Sequence, residues 1–131
     1  MSKLLILVVE DNPANQLLTT CVLNRDGFET AVAESAEDAL EFIKARRPDL
    51  ILMDVQLPGM DGLTFASSLR FVPEAAGVPV VALTSHAMRG DRELAMAAGC
   101  IGYLSKPIDT RTLSEELRAC LQQGQPESVS A

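Results

Sequence analysis

The sequence predicts an α/β domain: a five-stranded parallel sheet with helices on both faces, doubly wound as (βα)5. Three observations predict it. Five short apolar runs alternate with helical patterns along the 131 residues, as in repeated strand–helix–strand units rather than hairpins. The first run, Leu4-Leu5-Ile6-Leu7-Val8-Val9, is continuously apolar, which fits a strand covered on both faces. The chain also has the length of one domain, able to bury roughly two-thirds of the surface its unfolded form exposes.

Each element has its own local signals. The first strand ends at Glu10-Asp11, and Asn12-Pro13 opens a helix, with Asn12 as cap and Pro13 at the first helical position. Ala14, Leu17, Leu18, Cys21 and Val22 predict its buried stripe, and Asp26-Gly27 stops it. Residues 30–33 form a second strand, less apolar and therefore near an edge. Ser35-Ala36-Glu37-Asp38 resembles a capping box with Asp in the place of Glu or Gln. Ala36, Ala39, Leu40 and Ile43 then repeat at helical spacing. Arg46 and Arg47 suit that helix's negative end, and Pro48 closes it. Residues 50–53 form the third strand, ending at Asp54. After a turn over 58–62, Leu63, Phe65, Ala66 and Leu69 predict a third helix whose end near Phe71-Val72-Pro73 is poorly defined. Residues 78–83 contain the fourth strand, ending at Thr84. A weaker helical signal over 91–98 stops at Gly99. Tyr103-Leu104 marks a short fifth strand, ending at Ser105-Lys106-Pro107. Asp109 caps the last helix, with the stripe Leu113, Leu117, Cys120 and Leu121. Residues 1–123 are thus expected to form the domain, and 124–131, rich in Gln, Pro, Ser and Glu, a disordered tail.

Composition narrows the function classes. A formal net charge of −7 argues against a nucleic-acid-binding surface, which needs clustered Lys and Arg, and suits a cation site or a basic partner. The longest apolar run is far too short to span a bilayer, and no cleavage site follows it, so neither a membrane span nor a signal peptide is expected. Cys21, Cys100 and Cys120 fit no metal spacing. They are expected as small buried hydrophobes in a reducing cytoplasm.

An acid at one strand end is commonly a turn former or helix cap. Here Glu10-Asp11, Asp54, Thr84 and Lys106 all end strands, and in a doubly wound sheet ligands bind beyond the strands' carboxyl ends. Asp11 and Asp54, helped by Glu10, would crowd carboxylates together, which disfavours their ionisation unless a cation intervenes. Carboxylates, a backbone carbonyl and water suit Mg²⁺. Lys106 adds a second positive charge and Thr84 a hydroxyl. That set is equipped for phosphoryl transfer, with Asp54 as nucleophile and Thr84 and Lys106 on the phosphoryl oxygens.

The strings Val9-Glu10-Asp11-Asn12, Leu52-Met53-Asp54-Val55-Gln56-Leu57-Pro58-Gly59-Met60-Asp61-Gly62, Ala82-Leu83-Thr84-Ser85 and Tyr103-Leu104-Ser105-Lys106-Pro107 resemble the response regulator receiver domain of two-component signalling. Both stand-alone cell-division-type regulators and hybrid histidine kinase receivers are similar to it. The likeness covers about residues 3–121, and the four motifs in order are far more specific than any one. It implies a flavodoxin-like fold with strand order 2-1-3-4-5. It also implies a phosphoacceptor switch that assists only its own phosphoryl transfer and dephosphorylation. Asp54 is the implied phosphoacceptor. Asp11, Asp54 and the backbone carbonyl of Gln56 would hold Mg²⁺, with Glu10 acting through water. Thr84 and Lys106 would sense the phosphoryl group, with Lys106-Pro107 a cis peptide. Tyr103 matches the switch aromatic, and Gln56 and His86 the positions that tune phosphoryl lifetime. The implied partners are a histidine kinase or histidine phosphotransfer protein, meeting the first helix and the Lys106 loop, and a downstream protein meeting the fourth helix, fifth strand and fifth helix. Neither nucleic acid nor membrane is an implied partner.

Two other classes fit less well. A haloacid-dehalogenase-type phosphatase needs a second Asp two residues after its nucleophile, and Gln56 cannot supply that proton. A flavin-binding module wants a Ser/Thr/Gly-rich phosphate loop after the first strand, where Glu10-Asp11-Asn12-Pro13 would repel phosphate.

Overall fold

A computed structural model describes residues 3–56, 62–84, 91–106 and 108–123. In chain order the elements are β1 (Leu5–Val9), α1 (Pro13–Arg25), β2 (Glu29–Ala33), α2 (Ala36–Ala45), β3 (Leu50–Asp54), α3 (Gly62–Leu69), a 3-10 turn (Pro73–Ala75), β4 (Val80–Thr84), α4 (Asp91–Ala97), β5 (Gly102–Ser105) and α5 (Leu113–Gln123). The strands form one parallel sheet in the expected order β2-β1-β3-β4-β5. The less apolar β2 lies at an edge.

Alternation along the buried strands feeds two apolar layers. Leu7, Val9, Ile51, Met53, Val80 and Ala82 face α2, α3 and α4, meeting Ala39, Ile43, Phe65, Leu69 and Ala95. Ile6, Val8, Leu50, Leu52, Val81 and Leu83 face α1 and α5, meeting Val22, Leu23, Leu113 and Leu117. Every residue of β1, β3 and β4 is buried, which is why these runs read as continuous rather than alternating. Among the described residues no helix is long and apolar enough to cross a membrane.

Two caps behave as expected: the Asn12 side chain accepts from the Asn15 N–H at 3.1 Å, and Ser35 accepts from the Asp38 N–H at 3.1 Å. At two points the structure departs from the sequence expectation. Along α1 the buried residues are Thr19, Val22 and Leu23, whereas Ala14 and Cys21 are exposed and Leu17 and Leu18 are 66% and 42% exposed. Apolar residues occur all round this helix, so its pattern does not say which side meets the sheet. Of the three cysteines only Cys100 is fully buried; Cys120 is half-buried. Asp109 caps the turn that leads into α5, as expected: its Oδ1 accepts from the Arg111 N–H at 2.9 Å and its carbonyl from the Leu113 N–H at 3.0 Å. The expected turn at 58–62, His86, the Lys106-Pro107 peptide and the tail at 124–131 lie wholly or partly outside the described residues.

Candidate functional site

Parallel strands deliver their last residues to one edge of the sheet, and the register decides which of them meet. β1 pairs with β3 up to Val9 and Met53, so Glu10 and Asp54 follow side by side. Asp54 is opposite Leu83 on β4, and Thr84 is opposite Ser105 on β5. The Lys106 N–H donates to the Thr84 carbonyl at 2.7 Å, which turns the Lys106 side chain back over the strand ends. The site therefore sits where chain order reverses about β1 and β3.

Asp54 is 5% exposed and Glu10 3%. Burial at that depth requires partners, and both carboxylates have them. Lys106 Nζ lies 2.7 Å from Asp54 Oδ2 and 2.9 Å from Glu10 Oε1, bridging the two acids. The other Asp54 oxygen, Oδ1, accepts from the Gln56 N–H at 2.9 Å. Glu10 Oε2 accepts from the Asn12 N–H at 3.2 Å. Both planar groups are thus held from two sides.

The electrostatics follow from this packing. Burial pushes the Glu10 carboxyl above its ordinary range; hydrogen bonds from Lys106 and the Asn12 N–H oppose the shift without cancelling it. For Lys106, burial works against the charged form, but hydrogen bonds to Asp54 and Glu10 outweigh it and raise the ammonium's pKa. Lys106 is therefore a fixed positive charge at any physiological pH.

Asp11 is exposed where Glu10 and Asp54 are buried, and the three acids offer carboxylate oxygens all within 4.8 Å of one another. About 2.1 Å is the usual Mg²⁺–oxygen distance, so two direct ligands of one ion stand at most about 4.2 Å apart. Oxygens gathered within this span fit a hard octahedral cation held by the carboxylates directly or through water. The donor set, all oxygen, fits Mg²⁺ equally well.

Thr84 is 3% exposed at the end of β4. Tyr103 on β5 is half-buried against the layer facing α2, α3 and α4, with its hydroxyl oxygen buried. Gln56 is exposed. His86 lies outside the described residues. The structure thus gathers Glu10, Asp11, Asp54 and Lys106 into one cluster and places Thr84 and Tyr103 on the two neighbouring strands.

Two contacts of the site are unmarked in the sequence. Gly62 opens α3 so close to β3 that a Cβ there would lie 2.6 Å from the Asp54 carbonyl oxygen and 2.8 Å from Val55 Cα. Gln16, in the second turn of α1, donates from Nε2 to the Glu10 carbonyl at 2.6 Å. Neither contact has a sequence signal beyond residue type.

Comparison with known proteins agrees with this geometry. The family model of the response regulator receiver domain matches residues 6–118. The polar-differentiation response regulator DivK of Brucella anthropi is 38% identical over 116 residues, covering 88% of this chain and 94% of that protein. Among solved structures, the chemotaxis response regulator CheY4 of Vibrio cholerae superposes with a TM-score of 0.85 at 26% identity, over 91% of this chain and 99% of that one. The receiver domain of a sensor histidine kinase from Pseudomonas aeruginosa PAO1, solved with a magnesium ion coordinated in its active-site cleft, gives 0.78 at 35% identity, over 93% and 97%.

Proposed function

The chain belongs to the response regulator receiver family, and from that premise we propose that Asp54 is its phosphoacceptor. The observation that carries the proposal is the Asp54 carboxylate, fixed on one oxygen by the Gln56 N–H and on the other by Lys106 Nζ. A nucleophile held this way has little orientation left to lose on reaching the transition state.

In the proposed reaction an Asp54 oxygen attacks the phosphorus of a phosphohistidine. The P–O bond to Asp54 forms as the P–N bond breaks, and the bonding pair leaves with the imidazole nitrogen. Charge on the three equatorial phosphoryl oxygens rises, and Lys106 passes its contact from Asp54 Oδ2 to one of them. Thr84 supplies a hydroxyl to another. Asp11, Asp54 and the Gln56 carbonyl are the proposed Mg²⁺ ligands, with Glu10 acting through water. When bound, Mg²⁺ neutralises the clustered carboxylates and the incoming phosphoryl charge. Tyr103 packing inward as Thr84 moves is the proposed switch, and Gln56 and His86 tune the lifetime of the acyl phosphate. The chain acts only on its own phosphoryl group, in the cytoplasm.

The proposed donor is a histidine kinase or histidine phosphotransfer protein. Leu17 and Leu18 project from α1 beside a mainly apolar cleft of about 240 Å³ lined by Asn15, Leu18, Thr19, Leu83, Lys106 and Ile108. A donor's helices seated there would bring phosphohistidine to Asp54. The downstream partner meets the α4, β5 and α5 face, where Tyr103, Ser105, Thr112 and Glu116 line a polar groove.

The test is transfer from a phosphorylated histidine phosphotransfer protein to the purified chain. Rapid, Mg²⁺-dependent labelling, lost in Asp54→Asn and on chelation, is the expected result. Undiminished labelling of Asp54→Asn would refute the assignment, and multiple turnover on phosphate monoesters would favour a phosphatase instead.

A further inference from the structure

We infer that Gln16 is a positioning residue for the metal site: its side-chain amide fixes the peptide joining Glu10 to Asp11 and so sets how the two acids face a common cation. The inference rests on the reading of Glu10, Asp11 and Asp54 as a Mg²⁺ site.

The backbone geometry makes the case. Beyond Val9 and Met53 the β1–β3 ladder ends, while Glu10 is still buried at 3% exposure. Its N–H is taken up by the Ala33 carbonyl at 2.9 Å. Its carbonyl, past the end of the ladder, needs a donor of its own, and Gln16 Nε2 supplies one at 2.6 Å. That carbonyl shares a rigid plane with the Asp11 N–H, so one hydrogen bond orients the links to both carboxylates. Gln16 is itself anchored, its backbone N–H donating to the Asn12 carbonyl at 2.9 Å. Asn12 in turn holds Glu10 Oε2 and caps α1. The N-terminal turns of α1 and the end of β1 thus form one hydrogen-bonded unit, with Gln16 contributing geometry and no charge.

Metal selectivity reads out that role. Mg²⁺ demands near-ideal octahedral geometry, whereas Ca²⁺ tolerates irregular sites. Loosening the Glu10–Asp11 peptide should therefore penalise Mg²⁺ more than Ca²⁺. A fault in folding or in charge would not separate the two ions in this way.

The experiment is calorimetric titration of the unphosphorylated full chain with Mg²⁺ alone and with Ca²⁺ alone, comparing wild type with Gln16→Met. Met matches Gln in length and helix propensity and lacks the donor. The expected result is about tenfold weaker Mg²⁺ binding, the usual scale for losing a group that orients a metal ligand. Ca²⁺ binding should fall distinctly less, and melting in chelator should drop only by the few degrees that one lost hydrogen bond costs. Wild-type Mg²⁺ affinity in the variant, or equal losses for both ions, would overturn the inference. Gln16→Ala, which leaves space instead of a misfit, decides the question should the Met variant fail to fold. A wild-type chain that binds no Mg²⁺ would overturn the metal-site reading itself, a failure distinguishable from that of Gln16.

Discussion

Gly62→Ala should damage stability and phosphoryl acceptance together. The added Cβ would lie 2.6 Å from the Asp54 carbonyl oxygen, 2.8 Å from Val55 Cα and 3.1 Å from Met53 Cε, whereas ordinary contact begins at 3.4 Å. The first two atoms are backbone, so relief requires α3 and the end of β3 to part by about 0.6–0.8 Å. The Gly62 N–H also donates to the Val55 carbonyl at 2.8 Å, a bond the parting would stretch. Overpacking on this scale costs about 1–3 kcal/mol, or about 3–12 °C in melting temperature for a domain of this size. Because the displaced segment carries Asp54, phosphorylation by a small phosphodonor should slow by about tenfold or more. Gly102→Ala is the control. Its Cβ would also meet an atom at 2.6 Å, but that atom is Cys120 Sγ, a side-chain end that can rotate and that Cys120→Ala removes. Thermal melts and time-resolved intact-mass measurements on the three variants settle the matter. A Gly62→Ala protein that melts and labels like wild type would refute the claim that α3 is seated against the phosphoacceptor's backbone.

Other perturbations have equally definite outcomes. Lys106→Met strands Glu10 and Asp54 as buried acids without their cation and should cost about 3 kcal/mol in metal-free buffer, read by urea unfolding; added Mg²⁺ should return part of it. Asp26 is held down to about 2 from 3.8, first by the hydrogen bond from Arg25 and then by that from Ser114. A lowered folded-state pKa gives stability that is complete above the unfolded value and lost as pH falls toward about 2. Asp26→Asn should therefore flatten the acid limb of a stability–pH curve between about pH 4 and pH 2 and leave its slope near neutrality unchanged. Thiol titration of the native chain should modify the exposed Cys21 first. Burial pushes Cys100 up to about 11, so that residue should react only on unfolding.

What the sequence disclosed tracks what each element needed from its surroundings. β1, β3 and β4 were legible because burial on both faces forces continuous apolar runs, and α2 because Ala36, Ala39 and Ile43 make one unbroken stripe. α1 was placed correctly, but the side it buries was not, because Leu17, Leu18 and Val22 divide its apolar character between two sides. The meeting of Glu10, Asp11, Asp54 and Lys106 was legible because parallel strands must deliver their ends to one edge. The contacts of Gln16 and Gly62 were not, since a long-range carbonyl contact and a close backbone approach depend on register, which local pattern does not encode.

The central claim is that this edge of the sheet exists to load a phosphoryl group onto Asp54. The most direct measurement treats the chain with acetyl phosphate and Mg²⁺, traps the acyl phosphate by borohydride reduction, and locates the modified residue by peptide mass spectrometry. A single modified site at Asp54, absent when Mg²⁺ is chelated, is the predicted result. Modification at another residue, or none at all under saturating donor and metal, would contradict the account.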